Sequence, residues 1–113
     1  MKKILLALGI IALLAMASCS KDGATATMTV INDSSFIINE FYCTLSTNPD
    51  WGSNLLSGTI PSGSSQVFTI IAGTVDLDAE ETTGLNYWDA YDQVVAADGV
   101  YEWTLTDGIA TAY

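Results

Sequence analysis

Thr74-Val75-Asp76-Leu77-Asp78-Ala79-Glu80-Glu81-Thr82 decides the fold: Val75, Leu77 and Ala79 fall on one side of an extended chain, Asp76, Asp78 and Glu80 on the other. Alternation with period two is the mark of a strand with one dry face and one wet face. The flanking stretches repeat it. Residues 66–71 are strand-like and are cut from this stretch by Ala72-Gly73. Downstream, residues 85–91, 100–106 and 109–113 are set off by Thr83-Gly84, Asp98-Gly99 and Asp107-Gly108, all turn-favouring pairs. Upstream, residues 25–31 end at Asn32-Asp33-Ser34-Ser35. Residues 36–46 then place Ile37, Asn39, Phe41, Cys43 and Leu45 opposite Glu40 and Thr44. Leu55-Leu56 opens a short segment closed by Pro61-Ser62-Gly63-Ser64. No stretch from Ala24 onward keeps a helical period for three turns. The pattern predicts an all-β domain over residues 25–113, an antiparallel seven- or eight-stranded β-sandwich of Greek-key type.

Charge narrows the function. The 113 residues hold 13 Asp+Glu, 3 Lys+Arg and no His, a formal net charge of −10. Nucleic-acid affinity comes largely from Lys and Arg displacing counterions, so nucleic acid is not an expected partner. Without His or Arg the chain lacks the usual proton shuttle, the commonest zinc ligand and the bidentate oxyanion clamp. No Gly-x-Ser-x-Gly occurs, and Ser62-Gly63-Ser64-Ser65 reads as a turn. Neither catalysis nor a cofactor is expected.

The first residues read as an address. Lys2 and Lys3 precede an apolar run from Ile4 to Leu14, too short for the ~20 residues of a spanning helix. Met16-Ala17-Ser18-Cys19 resembles the lipobox of bacterial lipoproteins. That resemblance implies that residues 1–18 are a signal peptide, that Cys19 becomes the lipidated first residue, and that residues 19–24 form a tether. Several acyl chains, each methylene contributing ~0.8 kcal/mol, would hold the protein firmly to a membrane. Ser20 after the Cys favours the outer membrane by the same resemblance. Cys43 is then the only remaining thiol, and its place among alternating apolar residues fits a small buried hydrophobe.

Val30-Ile31-Asn32, Ser34-Ser35, Trp51-Gly52-Ser53-Asn54-Leu55-Leu56, Ile60-Pro61-Ser62-Gly63-Ser64 and Gly73 together resemble small exported β-sandwich domains, often found in bacterial lipoproteins, that lack an assigned activity. Val75-Asp76-Leu77-Asp78 lacks the aromatic and the base common in that family. The resemblance therefore implies a fold and transfers no functional residue.

Two features can bind a ligand. Trp51 sits in a polar loop, where it reads either as a lid over the sandwich end or as an exposed recognition residue, and Asp76, Asp78 and Glu80 line one strand face; the acids read either as a solvated face or as an interface for a basic protein. Calcium is a further alternative, with Asp76, Asp78, Glu81 and Asp89 as ligands. Alternate strand residues lie ~6.6 Å apart, however, so three strand acids cannot share one ion. Tyr87, Trp88, Tyr91, Tyr101 and Trp103 raise a glycan-binding alternative if their rings are exposed together. Tyr101, Trp103 and Leu105 alternate as a buried face would.

Overall fold

The structure is a computed structural model and describes residues 24–109 together with 111–112. The expected signal peptide, Cys19 and most of the tether lie outside these residues. No helix among the described residues is long and apolar enough to cross a membrane.

The described chain is all-β and forms two sheets around one core. Strands β1 (Thr25–Asp33), β2 (Ile38–Leu45), β3 (Ser65–Ile71), β4 (Gly73–Glu81), β5 (Asn86–Val95) and β6 (Val100–Thr106) are followed by a 3-10 turn (Asp107–Ile109) and the two-residue β7 (Thr111–Ala112). One sheet has the order β3-β1-β6, the other β2-β4-β5-β7. Six strands of full length replace the seven or eight expected. The segment around Leu55-Leu56 makes a single bridge, Ile38 to Ile60, because Gly58 at φ +90 and Pro61 prevent a run of extended residues. Of the expected last strand, Ile109 belongs to the 3-10 turn and Thr111–Ala112 form β7, while residues 110 and 113 lie outside the described residues.

A second correction concerns direction. β1 pairs antiparallel with β3 but parallel with β6. Side-chain alternation is the same whichever way a strand runs, so it carries no signal for this. Gly73 allows the chain to change sheets between β3 and β4. Its φ of +128 suits glycine alone, and a Cβ there would meet Leu45 at 3.0 Å.

The core joins both sheets. Met28, Val30, Phe68, Ile70, Trp103 and Leu105 face Phe41, Val75, Leu77, Ala79 and Trp88. Phe41 meets Phe68 at 4.6 Å between ring centroids and Trp103 at 6.2 Å. Tyr101, Trp103 and Leu105 are buried, as their alternation requires. In β2 the register shifts between Ile38 and Glu40, so Ile38 enters the core and Ile37 stays 46% exposed. That bulge corrects the expected inward Ile37, because an extra residue reverses the phase of everything before it. Cys43 is a free, half-buried thiol packed against the core, and burial pushes its pKa up to about 12. A thiol held protonated is a weak nucleophile.

Candidate functional site

The outer face of the four-stranded sheet holds three polar rows. Glu40, Glu80 and Tyr87 form one row across β2, β4 and β5; Tyr42, Asp78 and Asp89 form the next. Thr44 pairs with Asp76, and opposite Asp76 the β5 register shifts. The expected acidic strand face exists, but it is not wet at its centre. Asp76 is 6% exposed and Asp78 3%, whereas Glu80 is half-buried. The solvated-face reading is therefore corrected.

Trp51 supplies the cover. Its ring lies 6.3 Å from Tyr42 on β2 and 6.2 Å from Tyr91 on β5, so it bridges the strands on either side of β4. The loop that carries it is tied down at both ends. Ser46 N–H donates to the Thr74 carbonyl and Asn48 N–H to that of Leu45. At the far end Asn54 Oδ1 accepts from the N–H groups of Phe41 and Leu56, each at 2.9 Å, while its amide donates to the Asn39 carbonyl. Asn54 thereby closes the free edge of β2 at its bulge. Gly52, at φ +82, lets the chain turn directly after the indole.

Each acid has a separate role. Asp76 Oδ1 accepts from Ser46 Oγ at 2.6 Å and from Asp92 N–H at 2.9 Å. It thus fastens the β5 irregularity at Asp92, where φ is +56, to the base of the Trp51 loop. Glu81, the last residue of β4, stands apart from the group and turns its carboxylate to the turn that follows. There its carboxylate accepts from Thr83 N–H and Oγ1, Leu85 N–H, and Asn86 N–H and Nδ2. Burial pushes its pKa up, but the hydrogen bonds from Thr83 and Asn86 outweigh that and hold it at about 2.

Asp78 and Asp89 are direct cross-strand partners, and each has one buried oxygen, Oδ2 and Oδ1 respectively, with no hydrogen-bond partner. Burial first, then the neighbouring carboxyls of Asp89 and Glu80, push the Asp78 pKa well above the ordinary carboxylate range. A protonated Asp78 carboxyl can donate to the neighbouring Asp89 carboxyl, which would satisfy both orphaned oxygens at once. The phenols flanking it are spent on acids. Tyr91 donates to Asp89 Oδ2 and Tyr42 to Glu40 Oε1, both at 2.7 Å. Tyr42 is raised to about 12 by that hydrogen bond, by burial and by the surrounding carboxylates.

The calcium alternative is corrected by this arrangement. The Glu81 carboxylate is spent on the turn after β4, the Asp78 carboxyl is held protonated by burial and its neighbours, and no group of three or more candidate ligands occurs among the described residues. The glycan alternative loses its flat platform: Trp88, Tyr101 and Trp103 are core, and Trp51 meets Tyr42 and Tyr91 at 47° and 40°.

Beside Trp51 lies an open hollow of about 360 Å³. Thr44, Ser46, Thr47, Asn48, Pro49, Asp50, Trp51, Asp76 and Tyr91 line it. Trp51 and Asp76 were legible as candidates, and the structure brings them together. Asp78 and Glu80 lie along the same face but outside the hollow. Sequence reasoning missed Tyr42 and Asp50, and named Tyr91 only among the aromatics of the glycan alternative. The alternation of Tyr42 with Glu40 and Thr44 was the available signal for the first.

Replacing Trp51 with Ala should uncover the buried row. The expected results are a stability loss of about 1–2 kcal/mol and a fall of the Asp78 pKa toward the ordinary range, read by melting and carboxyl NMR. Unchanged values of both would remove Trp51 as the cover.

No protein-family model matches the chain, and no curated protein matches it. Among solved structures, the chain is similar to the NMR structure of a protein from Eubacterium rectale. The TM-score is 0.51 at 20% identity, with 84% of this chain and 93% of that chain covered. At that identity the likeness concerns the fold alone.

Proposed function

We propose that this is a lipid-anchored protein of the bacterial cell envelope, at the outer membrane, that acts by binding and not by catalysis. In this reading the two layers are a Greek-key-type sandwich and Cys19 carries the lipid. The recognition surface is the Trp51 side of the four-stranded sheet, with a basic protein as partner. One observation carries the binding reading: the hollow beside Trp51 is open, lined by Asp50 and Asp76, and the described chain contains no Lys, Arg or His to neutralise it. Such a surface attracts cations over a distance and repels anions. The carboxyl pair Asp78–Asp89 does not offer acid-base chemistry to a substrate, because Asp78 is 3% exposed and Asp78 Oδ2 and Asp89 Oδ1 are both buried.

Two measurements test the proposal. Cys19→Ala in the full-length chain should release the protein from membranes and abolish palmitate labelling; labelling that persists contradicts the anchor. Binding of the intact protein to envelope extract should weaken steeply as salt rises, because surface attraction is screened beyond ~8 Å at physiological ionic strength. Salt-independent binding contradicts the basic partner.

A further inference from the structure

The hollow beside Trp51 has a charge bias that narrows its ligand. Several of its donors are already used internally. Ser46 Oγ donates to Asp76, Tyr91 Oη to Asp89, and Asn48 Nδ2 to Thr44 Oγ1 at 3.0 Å. Donors remain as well, in the Thr44 and Thr47 hydroxyls and the second Asn48 N–H, so the bias is one of charge: Asp76 and Asp50, the latter exposed at the rim, with no base among the described residues. A neutral sugar hydroxyl gains nothing selective from that charge. An ammonium group has three donors and no acceptor, and the face of an indole attracts it further.

Resting on the binding reading above, we propose that this hollow receives a primary alkylammonium group, supplied by a lysine side chain of a partner polypeptide. The alkyl stem lies along Trp51 and Pro49, and the charged head sits among Thr44, Ser46 and Asp50. The same chemistry exists in the ethanolamine headgroup of a lipid. That headgroup carries a phosphate two carbons from its nitrogen, and a hollow lined by Asp50 and Asp76 with no base among the described residues repels it. The lysine stem has no such charge.

The test uses the full-length protein in micelles, isotopically labelled for NMR, with Nα-acetyl-lysine N-methylamide as probe. The expected result is saturable shifts of amides in residues 44–51 and at Asp76 and Tyr91. Acetylating the probe at its Nε should weaken binding about fivefold or more, the size of one exposed cation–π and charge contact. Asp50→Asn, which alters only a rim carboxylate, should weaken it by a similar factor. Equal binding of the acetylated probe overturns the proposal, as does absence of shifts at the hollow. Glycerophosphoethanolamine binding more tightly than the lysine probe overturns the polypeptide source. If methyl glucoside shifts the same amides and the lysine probe does not, the ammonium assignment fails while the hollow stands as a binding site. The anchor is judged separately by the Cys19 experiment.

Discussion

Replacing Glu81 with Ala is expected to destabilise the protein by about 3 kcal/mol and to lower its melting temperature by more than about 10 °C. The carboxylate is 2% exposed and accepts five hydrogen bonds from Thr83, Leu85 and Asn86, which close the turn between β4 and β5. Hydrogen bonds to a charged acceptor contribute ~1.5–3 kcal/mol each, but water can reach these turn donors once the acceptor is gone, so the sum is not additive. Glu81→Gln keeps one acceptor oxygen and should lose about half as much. The pH dependence has a definite sign. A carboxylate held at about 2 contributes stability that is present above its ordinary pKa near 4.5 and is lost as pH falls through 2. A melting temperature unchanged by Glu81→Ala would show that the turn closes without it.

Asp78→Asn works in the opposite direction. At neutral pH the folded chain either binds a proton on the Asp78–Asp89 pair or holds two buried carboxylates side by side, and both cost free energy. An amide at position 78 supplies the missing donor permanently. Stability is expected to rise by about 1–3 kcal/mol at pH 7, the range for satisfying a buried polar group. Because the folded pKa of Asp78 is raised, its contribution is fully present below the ordinary value near 3.8 and is lost as pH rises toward the folded value. Stability of the native chain should therefore increase as pH falls from 7 toward 4, and Asp78→Asn should flatten that slope. With Glu81 failing below that range, the optimum lies near pH 4–5. A variant less stable than the native chain at pH 7, with an unaltered slope, would contradict the protonated Asp78 carboxyl.

Much of the fold was legible because alternation and turn residues are local signals. Val75, Leu77 and Ala79 are buried as their spacing demands, and Ala72-Gly73 ends β3 and begins β4. The parallel pairing of β1 with β6 was not legible, since it depends on how the chain returns through the other sheet. Nor was the phase of Ile37 and Ile38, which rests on a single bulge residue. The site was half legible. Alternation placed Asp76, Asp78 and Glu80 on the face away from the core, but a face away from the core is wet only if nothing covers it. The cover is a loop whose Trp51 reaches Tyr42 and Tyr91, residues nine and forty positions distant in the chain. Glu81 falls on the Val75, Leu77 and Ala79 side of the period-two pattern, where an acid is unexpected, and its carboxylate is held there by Thr83 and Asn86 just downstream. A carboxylate followed by Thr and Asn at those distances is a signal of local hydrogen bonding that sequence reading can use.

The central claim is that the carboxylates of β4 have separate structural duties, leaving the rim of the Trp51 hollow for a ligand. Carboxyl NMR of the native protein, titrated residue by residue, tests it most directly. The account predicts that Asp78 stays protonated well above the usual carboxylate range while Glu81 remains ionised down to about pH 2. Ordinary titration of both near pH 4 would contradict it, and would return the strand to a solvated acidic face.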